Sequence, residues 1–205
     1  MTRRLLAKQS GVRSTFIGYT KQFDKVTVKE SCLERDYYNW MLFTLPPDAV
    51  FIMQPEKFYY VLNGKPTWYT SDGHITLPSE NVYVDEVKYY EDSIKPAVLH
   101  KHSVLTQEHS KLKKTKFRVF TERDIRVGER AENYKMLKTC LHHPAPTLAF
   151  KALLSGVKQL QLSLHELHAL ADKKRIDRSV IKIATAHQLL KTDLTKPWFD
   201  SVFTW

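Results

Sequence analysis

The sequence predicts an α/β fold, with a mixed β-sheet flanked by helices and a small helical module at the C-terminal end. Three observations support this prediction. An amphipathic helical pattern precedes a series of short, aromatic-rich strands at 50–90. A helix, a strand and another helix follow, up to a proline-flanked stretch at 142–146. Beyond it, two helical segments are separated by a short turn, and 205 residues suffice for one core and a small module.

The charge balance favours a polyanionic partner. The chain has 32 Lys and Arg against 22 Asp and Glu, a formal net charge of +10, and basic side chains release counterions when they meet phosphates. A surface of solvated lysines is the alternative explanation. No run of about 18 apolar residues is present to span a bilayer. The first residues are too briefly apolar for a secretory signal, and Cys32 and Cys140 do not make a disulfide framework. We expect a soluble, cytosolic protein with no membrane partner.

Residues 1–29 form a basic N-terminal arm, with seven Lys and Arg and one acid, Asp24. Aromatic residues such as Phe16 and Tyr19 are interspersed, which suits a segment that lies along a phosphate backbone. An arm without a dedicated ligand is the alternative. The candidate DNA contacts here are Arg3, Arg4, Arg13 and Lys21.

The first predicted helix covers 30–43, where Leu33, Tyr37 and Trp40 recur at steps of three and four residues. Ser31 and Glu34 have the spacing of a capping box. On the helix alone, Glu34 is assigned to capping.

The predicted strands form a meander, with a turn at Asn63-Gly64 and a break in pairing at Asp72-Gly73. They cover 50–55, 57–61, 67–70, 74–77 and 82–90. A helix at 94–112, a strand at 116–120 and a helix at 131–141 complete this domain.

The C-terminal module, from 145 onwards, is predicted to be helix-turn-helix or winged-helix-like. Ser163 and Glu166 form a capping box at the start of one helix, and a turn at 172–176 leads to a second helix at 177–190. Residues 193–203 are assigned to a wing or docking tail. Arg178 and Lys182 on the second helix are candidate DNA contacts, with protein docking as an equal alternative.

The strand at 82–90 carries charged residues where a buried strand should be apolar. Side chains alternate along a strand, so Glu86 and Lys88 share one face and Asp85 lies on the other. Asp72 follows a neighbouring strand. Carboxylates hold Mg²⁺ for phosphodiester hydrolysis, and a lysine beside the metal stabilises developing negative charge. We therefore predict a metal-dependent nuclease site that includes Asp72, Glu86 and Lys88, without Asp85.

The order of several motifs resembles the TnsA family, the restriction-endonuclease-like subunits of heteromeric cut-and-paste transposases. The motifs are Glu30-Ser31-x-x-Glu34-Arg35-Asp36, Gln54-Pro55, Tyr69-Thr70-Ser71-Asp72, Asp85-Glu86-Val87-Lys88 and the stretch 117–125. The likeness runs from about residue 13 to residue 141. It implies a basic arm at 1–29, a PD-(D/E)xK nuclease domain of restriction-endonuclease-like fold at 30–144, and a docking or DNA-binding module at 145–205.

The resemblance also implies roles for individual residues. Asp72, Glu86 and Glu34 fall on the metal-side carboxylates, Lys88 on the catalytic lysine, and Gln54 on a supporting position. Two departures concern the surroundings of Asp72. Ser71 stands where the family usually has proline, and Gly73-His74 stands where an aromatic and apolar residues usually follow.

By this likeness, the protein is expected to be a Mg²⁺-dependent DNA endonuclease, with Mn²⁺ able to substitute. It would cleave the non-transferred strand at the 5′ ends of a transposon, in the bacterial cytoplasm and in association with the nucleoid. Its partners would be the transposon-end duplex, a DDE-type transposase and an AAA+ regulator, and its compact length is similar to that of members associated with CRISPR-guided transposition. The alternatives are a stand-alone restriction or repair nuclease and a non-catalytic DNA-binding adaptor.

Zinc is disfavoured as the metal. His100, His102 and His109 are close in sequence, but their spacing does not place them on one helical face, and no cysteine pair assists. Solvated or core histidines are the better account.

Overall fold

The computed structural model describes residues 31–46 and 48–205, together with the backbone of two earlier strands. These are β1 (Phe16–Thr20) and β2 (Lys25–Lys29), which pair antiparallel with Ile17 opposite Val28. The predicted DNA contacts Arg3, Arg4, Arg13 and Lys21 lie outside the described residues. No helix in the described part of the chain is long and apolar enough to cross a membrane.

The chain divides into two compact units. Apart from residues 39–43, the first unit extends to Ile125, and the second contains Asn39–Phe43 and Arg126–Trp205. The sequence places the boundary at 144, whereas the structure places it at Ile125. The reason is that helix α5 (Arg130–Cys140) belongs to the second core, where Leu137 is buried in the same cluster as Leu167 and Ile181.

A four-stranded mixed sheet forms the centre of the first unit, in the order β3-β6-β7-β8. Its strands are β3 (Val50–Met53), β6 (Gly73–Thr76), β7 (Val82–Val87) and β8 (Thr115–Phe120). The first three are antiparallel, and β8 runs parallel to β7. The helices of this unit are α1 (Cys32–Thr44), α2 (Tyr90–Ser93), α3 (Pro96–Ser110) and α4 (Glu122–Ile125). A parallel pair requires a crossover, which α2 and α3 supply. The predicted class, a mixed sheet flanked by helices, is confirmed.

Strands β4 (Phe58–Leu62) and β5 (Lys65–Tyr69) form a separate hairpin sheet, so the predicted meander is divided. The turn at Asn63-Gly64 is as predicted, with φ of +52° and +72°. Tyr60 and Tyr69 are buried in a cluster with Leu105 of α3. The same cluster contains Val84 of β7, so the hairpin packs against both α3 and the sheet.

The sequence predicts a break in the strand pairing at Asp72-Gly73. In the structure, Gly73 instead begins β6. It pairs with Met53 on one side and Asp85 on the other. A Cβ at this position would lie 2.7 Å from the Tyr37 hydroxyl oxygen. Glycine is needed here because the Tyr37 side chain from α1 lies directly over the strand.

The second unit contains four helices within its described residues, namely α5 and three that follow. These are α6 (Thr147–Leu154), α7 (Leu164–Lys174) and α8 (Ser179–Ala186). Strands β9 (Gln161–Ser163) and β10 (Val202–Thr204) pair antiparallel, with a short 3₁₀ helix at Trp198–Asp200. The capping box at Ser163 is confirmed, since Ser163 Oγ accepts from Glu166 N at 3.3 Å and Ser163 N donates to Glu166 Oε2 at 2.8 Å. Helix α6 and the β9–β10 ribbon were not predicted.

Candidate active site

Glu86 is a buried carboxylate of the first unit that several polar side chains approach. It is 5% exposed near the end of β7. The Tyr69 hydroxyl donates to its Oε2 at 2.6 Å. Three further groups approach its Oε1: Lys88 Nζ at 3.6 Å, Lys101 Nζ at 3.7 Å and His102 Nε2 at 3.9 Å. Glu86 is therefore a buried carboxylate surrounded by one hydroxyl group and three basic side chains.

These donors control the ionisation of Glu86. Burial acts to raise its pKa, but the neighbouring His102, Lys101, Tyr69 and Lys88 stabilise the anion, and together they lower the pKa to about 2. Glu86 is thus ionised at neutral pH despite its burial.

Asp72 lies one residue before β6 and is fixed by β7. Its N–H donates to the Asp85 carbonyl at 2.9 Å, and its Oδ2 accepts from the Val87 N–H at 2.7 Å. Burial raises the pKa of Asp72 well above its ordinary value, and the negative charges of Glu86 and Glu34 add to this effect. Three carboxylates therefore share one electrostatic neighbourhood.

Glu34 takes part in the cap of its own helix, and its charge also acts on Asp72. Ser31 Oγ accepts from the Glu34 N–H at 3.1 Å, and the same hydroxyl donates to Glu34 Oε1 at 3.0 Å. This is the cap at the start of α1. The side chain is also buried, at 9% exposure, and its charge acts on Asp72. The cap orients a carboxylate that faces the site.

Lys88 and Gln54 are positioned by the backbone. Lys88 N donates to the Phe120 carbonyl at 3.0 Å, which continues the β7–β8 ladder, and its side chain is 31% exposed. Gln54 N lies 3.4 Å from the Asp72 carbonyl oxygen, and Gln54 has a positive φ of +46°. Lys88 is thus accessible to a substrate, whereas Gln54 supports the backbone at Asp72.

Asp85 faces away from this site, as the strand alternation predicts. It is fully buried, and Arg118 donates to both of its oxygens at 2.7 Å. The Tyr37 hydroxyl also donates to Asp85 Oδ2. Asp85 thus has a structural role in which Arg118 and Tyr37 satisfy its charge.

Sequence reasoning missed three residues of the site: Tyr69, Lys101 and His102. Tyr69 comes from the hairpin, and its ring also lies 4.6 Å from Lys101 Nζ. Lys101 and His102 come from α3, and no periodic signal links that helix to β7. His102 Nε2 is buried and, within the described residues, has no hydrogen-bond partner. A buried polar atom without a hydrogen bond is uncommon, and this one lies 3.9 Å from Glu86 Oε1.

No three His, Cys, Asp or Glu side chains in residues 31–46 and 48–205 enclose a ready-made metal cage. Two of the three histidines of α3 contact the Phe117 ring, at centroid distances of 5.7 Å for His102 and 5.8 Å for His109. His102 and His109 are buried, while His100 is exposed and its Nε2 lies 2.9 Å from Asn63 Oδ1.

The two candidate DNA contacts of the second unit differ in how far their charge is already neutralised. Arg178 binds Asp172, with Nε 2.9 Å from Oδ1, so its charge is partly neutralised. Lys182 is exposed on α8. Of the two, Lys182 is the freer cation for an external partner.

The charges of the first-unit site suit reactions at a phosphate. The ionised carboxylate of Glu86, the carboxyl group of Asp72 and the accessible ammonium group of Lys88 lie side by side. This arrangement suits phosphodiester hydrolysis. No protein-family model matches the chain, and no curated protein matches it. The function is therefore inferred from this geometry and from the sequence motifs.

Proposed function

We propose that the protein is a Mg²⁺-dependent DNA endonuclease that nicks the non-transferred strand at the 5′ ends of a transposon, as a TnsA-like partner of a DDE-type transposase. The observation that carries this proposal is the proximity of Asp72, Glu86 and Lys88 where β6 begins and β7 ends, with Asp85 facing the other way. In this proposal the first unit has a restriction-endonuclease-like fold.

The carboxylates fit a hard cation. Mg²⁺ uses one or two carboxylates together with waters and substrate phosphates, so a complete protein cage is not required. Asp72 and Glu86 supply oxygen donors only, with Glu34 as a third carboxylate nearby. Burial raises the pKa of Asp72, the negative charges of Glu86 and Glu34 add to this effect, and a divalent cation would relieve that repulsion. When bound, Mg²⁺ would polarise the phosphate and lower the pKa of a water.

The surrounding residues would prepare this site. Tyr69 holds one oxygen of Glu86 in place at 2.6 Å, which orients the other oxygen. Lys88, at 31% exposure, is placed to orient the attacking water and to offset negative charge on the phosphate. Glu34 is held by Ser31, so that its negative charge stays beside Asp72.

Charge and architecture suit the remaining partners. The net charge of +10 favours duplex DNA. We assign the second unit, as a helix-turn-helix or winged-helix-like module, to docking on the transposase, the AAA+ regulator or DNA. Its exposed lysines, Lys182 among them, are the groups available for this contact.

The test is a strand-cleavage assay on end-labelled transposon-end duplexes with Mg²⁺, with and without a DDE-type transposase. Nicking of the 5′ strand only when the transposase is present supports the proposal. Nicking by the chain alone indicates a stand-alone restriction or repair nuclease. DNA binding without cleavage under either condition indicates a non-catalytic adaptor.

A further inference from the structure

A cavity of about 370 Å³ lies on the Glu86 face of the sheet. Its walls include Val84 and His74, which lie opposite each other on β7 and β6. Glu86 follows Val84 by two residues and therefore points to the same face. The volume is within the range of small-molecule sites, roughly 300–1,000 Å³. The cavity is large enough for a nucleobase.

The cavity is lined by polar atoms that the protein leaves unused. His109 Nδ1 donates to the Leu105 carbonyl at 2.8 Å, so Nε2 remains available. Ser71 Oγ and the ring nitrogens of His74 have no hydrogen-bond partner in residues 31–46 and 48–205. Ser71 and His109 are only 3% and 2% exposed. These polar atoms keep some contact with solvent and belong to residues that line the cavity, so they are available to a ligand with hydrogen-bonding groups of its own.

The charge of the lining excludes a phosphate as the preferred occupant. The one cation on the lining, Lys57, is accompanied by Glu56. The other polar side chains of the lining include the imidazoles of His74 and His109 and the hydroxyl of Ser71. A neutral imidazole offers one donor and one acceptor, and a serine hydroxyl offers both. Such a lining matches the edge of a neutral heterocycle.

The remaining walls suit a planar ring. Phe58 lies 4.4 Å from the His109 ring, centroid to centroid, and Val82 and Leu112 add apolar surface. Tyr69 connects this cavity to the proposed active site, because its ring lines the cavity while its hydroxyl binds Glu86. An occupant would therefore lie one side chain away from the reacting phosphate.

We propose that this cavity receives a nucleobase, turned out of the DNA strand that is bound at Asp72 and Glu86. Enzymes that act on DNA extrude bases into pockets with stacking and hydrogen-bonding walls. The inference rests on the proposed function for the source of the base. A free nucleoside or nucleotide has the same chemistry and is distinguished by the test.

The test uses the full chain in EDTA, which prevents cleavage, with transposon-end duplexes that carry 2-aminopurine at successive positions around the nick. The transposase is added if binding requires it. The probe brightens when its base leaves the stack. We expect the wild-type protein to cause brightening at one position. Leu112→Trp should abolish this brightening and reduce duplex affinity about tenfold, because base stacking in the cavity is lost. Leu99→Trp is the matched control: Leu99 is 52% exposed, comparable with 48% for Leu112, and is not a lining residue.

A second arm adds free adenosine, guanosine, cytidine and thymidine, and follows the imidazole NMR signals of His74 and His109. Saturable shifts that Leu112→Trp abolishes, without brightening in DNA, identify a free nucleoside or nucleotide as the source. Absence of both signals, or equal signals in both tryptophan variants, overturns the inference. Normal nicking with neither signal rejects the proposed base site but leaves the nuclease proposal intact. Nucleoside binding without nicking rejects the nuclease proposal but leaves the base site intact.

Discussion

Asp72 and Glu86 share one site, yet the pKa of Asp72 is raised and that of Glu86 is lowered to about 2. The difference arises because Tyr69, Lys88, Lys101 and His102 all approach Glu86. At Asp72, burial and the repulsion of Glu86 and Glu34 outweigh the effects of the Val87 N–H and Lys88. Carboxylates whose pKa values are driven apart in this way are typical of functional sites.

The first prediction concerns Asp72→Asn, which should stabilise the metal-free protein at pH 7 by about 1 kcal/mol. A carboxyl whose folded pKa is raised lowers stability above that pKa, and the cost disappears as the pH falls towards its ordinary pKa. Urea unfolding in EDTA measures this effect. Added Mg²⁺ should stabilise the wild type and leave the variant unchanged. Asp92→Asn, which removes an exposed carboxylate, is the charge-matched control and should show no such gain. A less stable Asp72→Asn protein with an undiminished Mg²⁺ response would contradict the assignment.

The second prediction concerns Tyr69→Phe, which removes one hydroxyl and the 2.6 Å hydrogen bond to Glu86. Nicking should fall about 10- to 100-fold, as for other residues that orient a metal ligand. The pKa of Glu86 should rise, so the acid limb of the pH–rate profile should move to higher pH. Tyr60→Phe is the control: Tyr60 is buried in the same cluster, and its hydroxyl has no hydrogen-bond partner in the described part of the chain. Equal losses in both variants would mean that the hydroxyl of Tyr69 has only a packing role.

The third prediction concerns Lys101→Ala, which removes a cation 3.7 Å from Glu86 Oε1. We expect kcat to fall about tenfold with little change in KM, since Lys101 is 30% exposed and its charge is partly screened. Lys113→Ala removes the same charge from an exposed position of the same unit and should leave kcat unchanged. A purely electrostatic contribution to DNA binding would instead raise KM in both variants.

The fourth prediction tests whether Asp85, unlike the adjacent Glu86, has a structural role only. Asp85→Ala leaves Arg118 and Tyr37 without their buried partner, so the free energy of unfolding should fall by about 3–5 kcal/mol. Chemical denaturation measures this loss, and adding Arg118→Met should restore part of it. A variant of wild-type stability that no longer nicks DNA would show that Asp85 belongs to the active site.

Local signals accounted for much of the fold. The Ser31 and Ser163 caps, the Asn63-Gly64 turn and the separation of Glu86 from Asp85 each follow from a few adjacent residues, whose chemistry determines the local geometry. These features were predictable because their causes lie within the segment itself.

Tertiary contacts accounted for the rest. In the sequence, Gly73 resembles a strand breaker. The structure shows that glycine is needed there because the Tyr37 hydroxyl occupies the space of a Cβ atom. Tyr69 and Lys101 reach Glu86 from the hairpin and from α3, and no spacing in the sequence relates these elements. Helix α5 belongs to the second unit because its buried face fits that core, which its own pattern could not reveal.

The most direct test of the proposed site is Mg²⁺-dependent cleavage of the 5′ strand by Lys88→Ala and Asp72→Ala, in a reconstituted reaction with the transposase. The proposal predicts that both substitutions reduce cleavage at least about a hundredfold, while folding, DNA binding and transposase binding persist. Cleavage at the wild-type rate by either variant would contradict it.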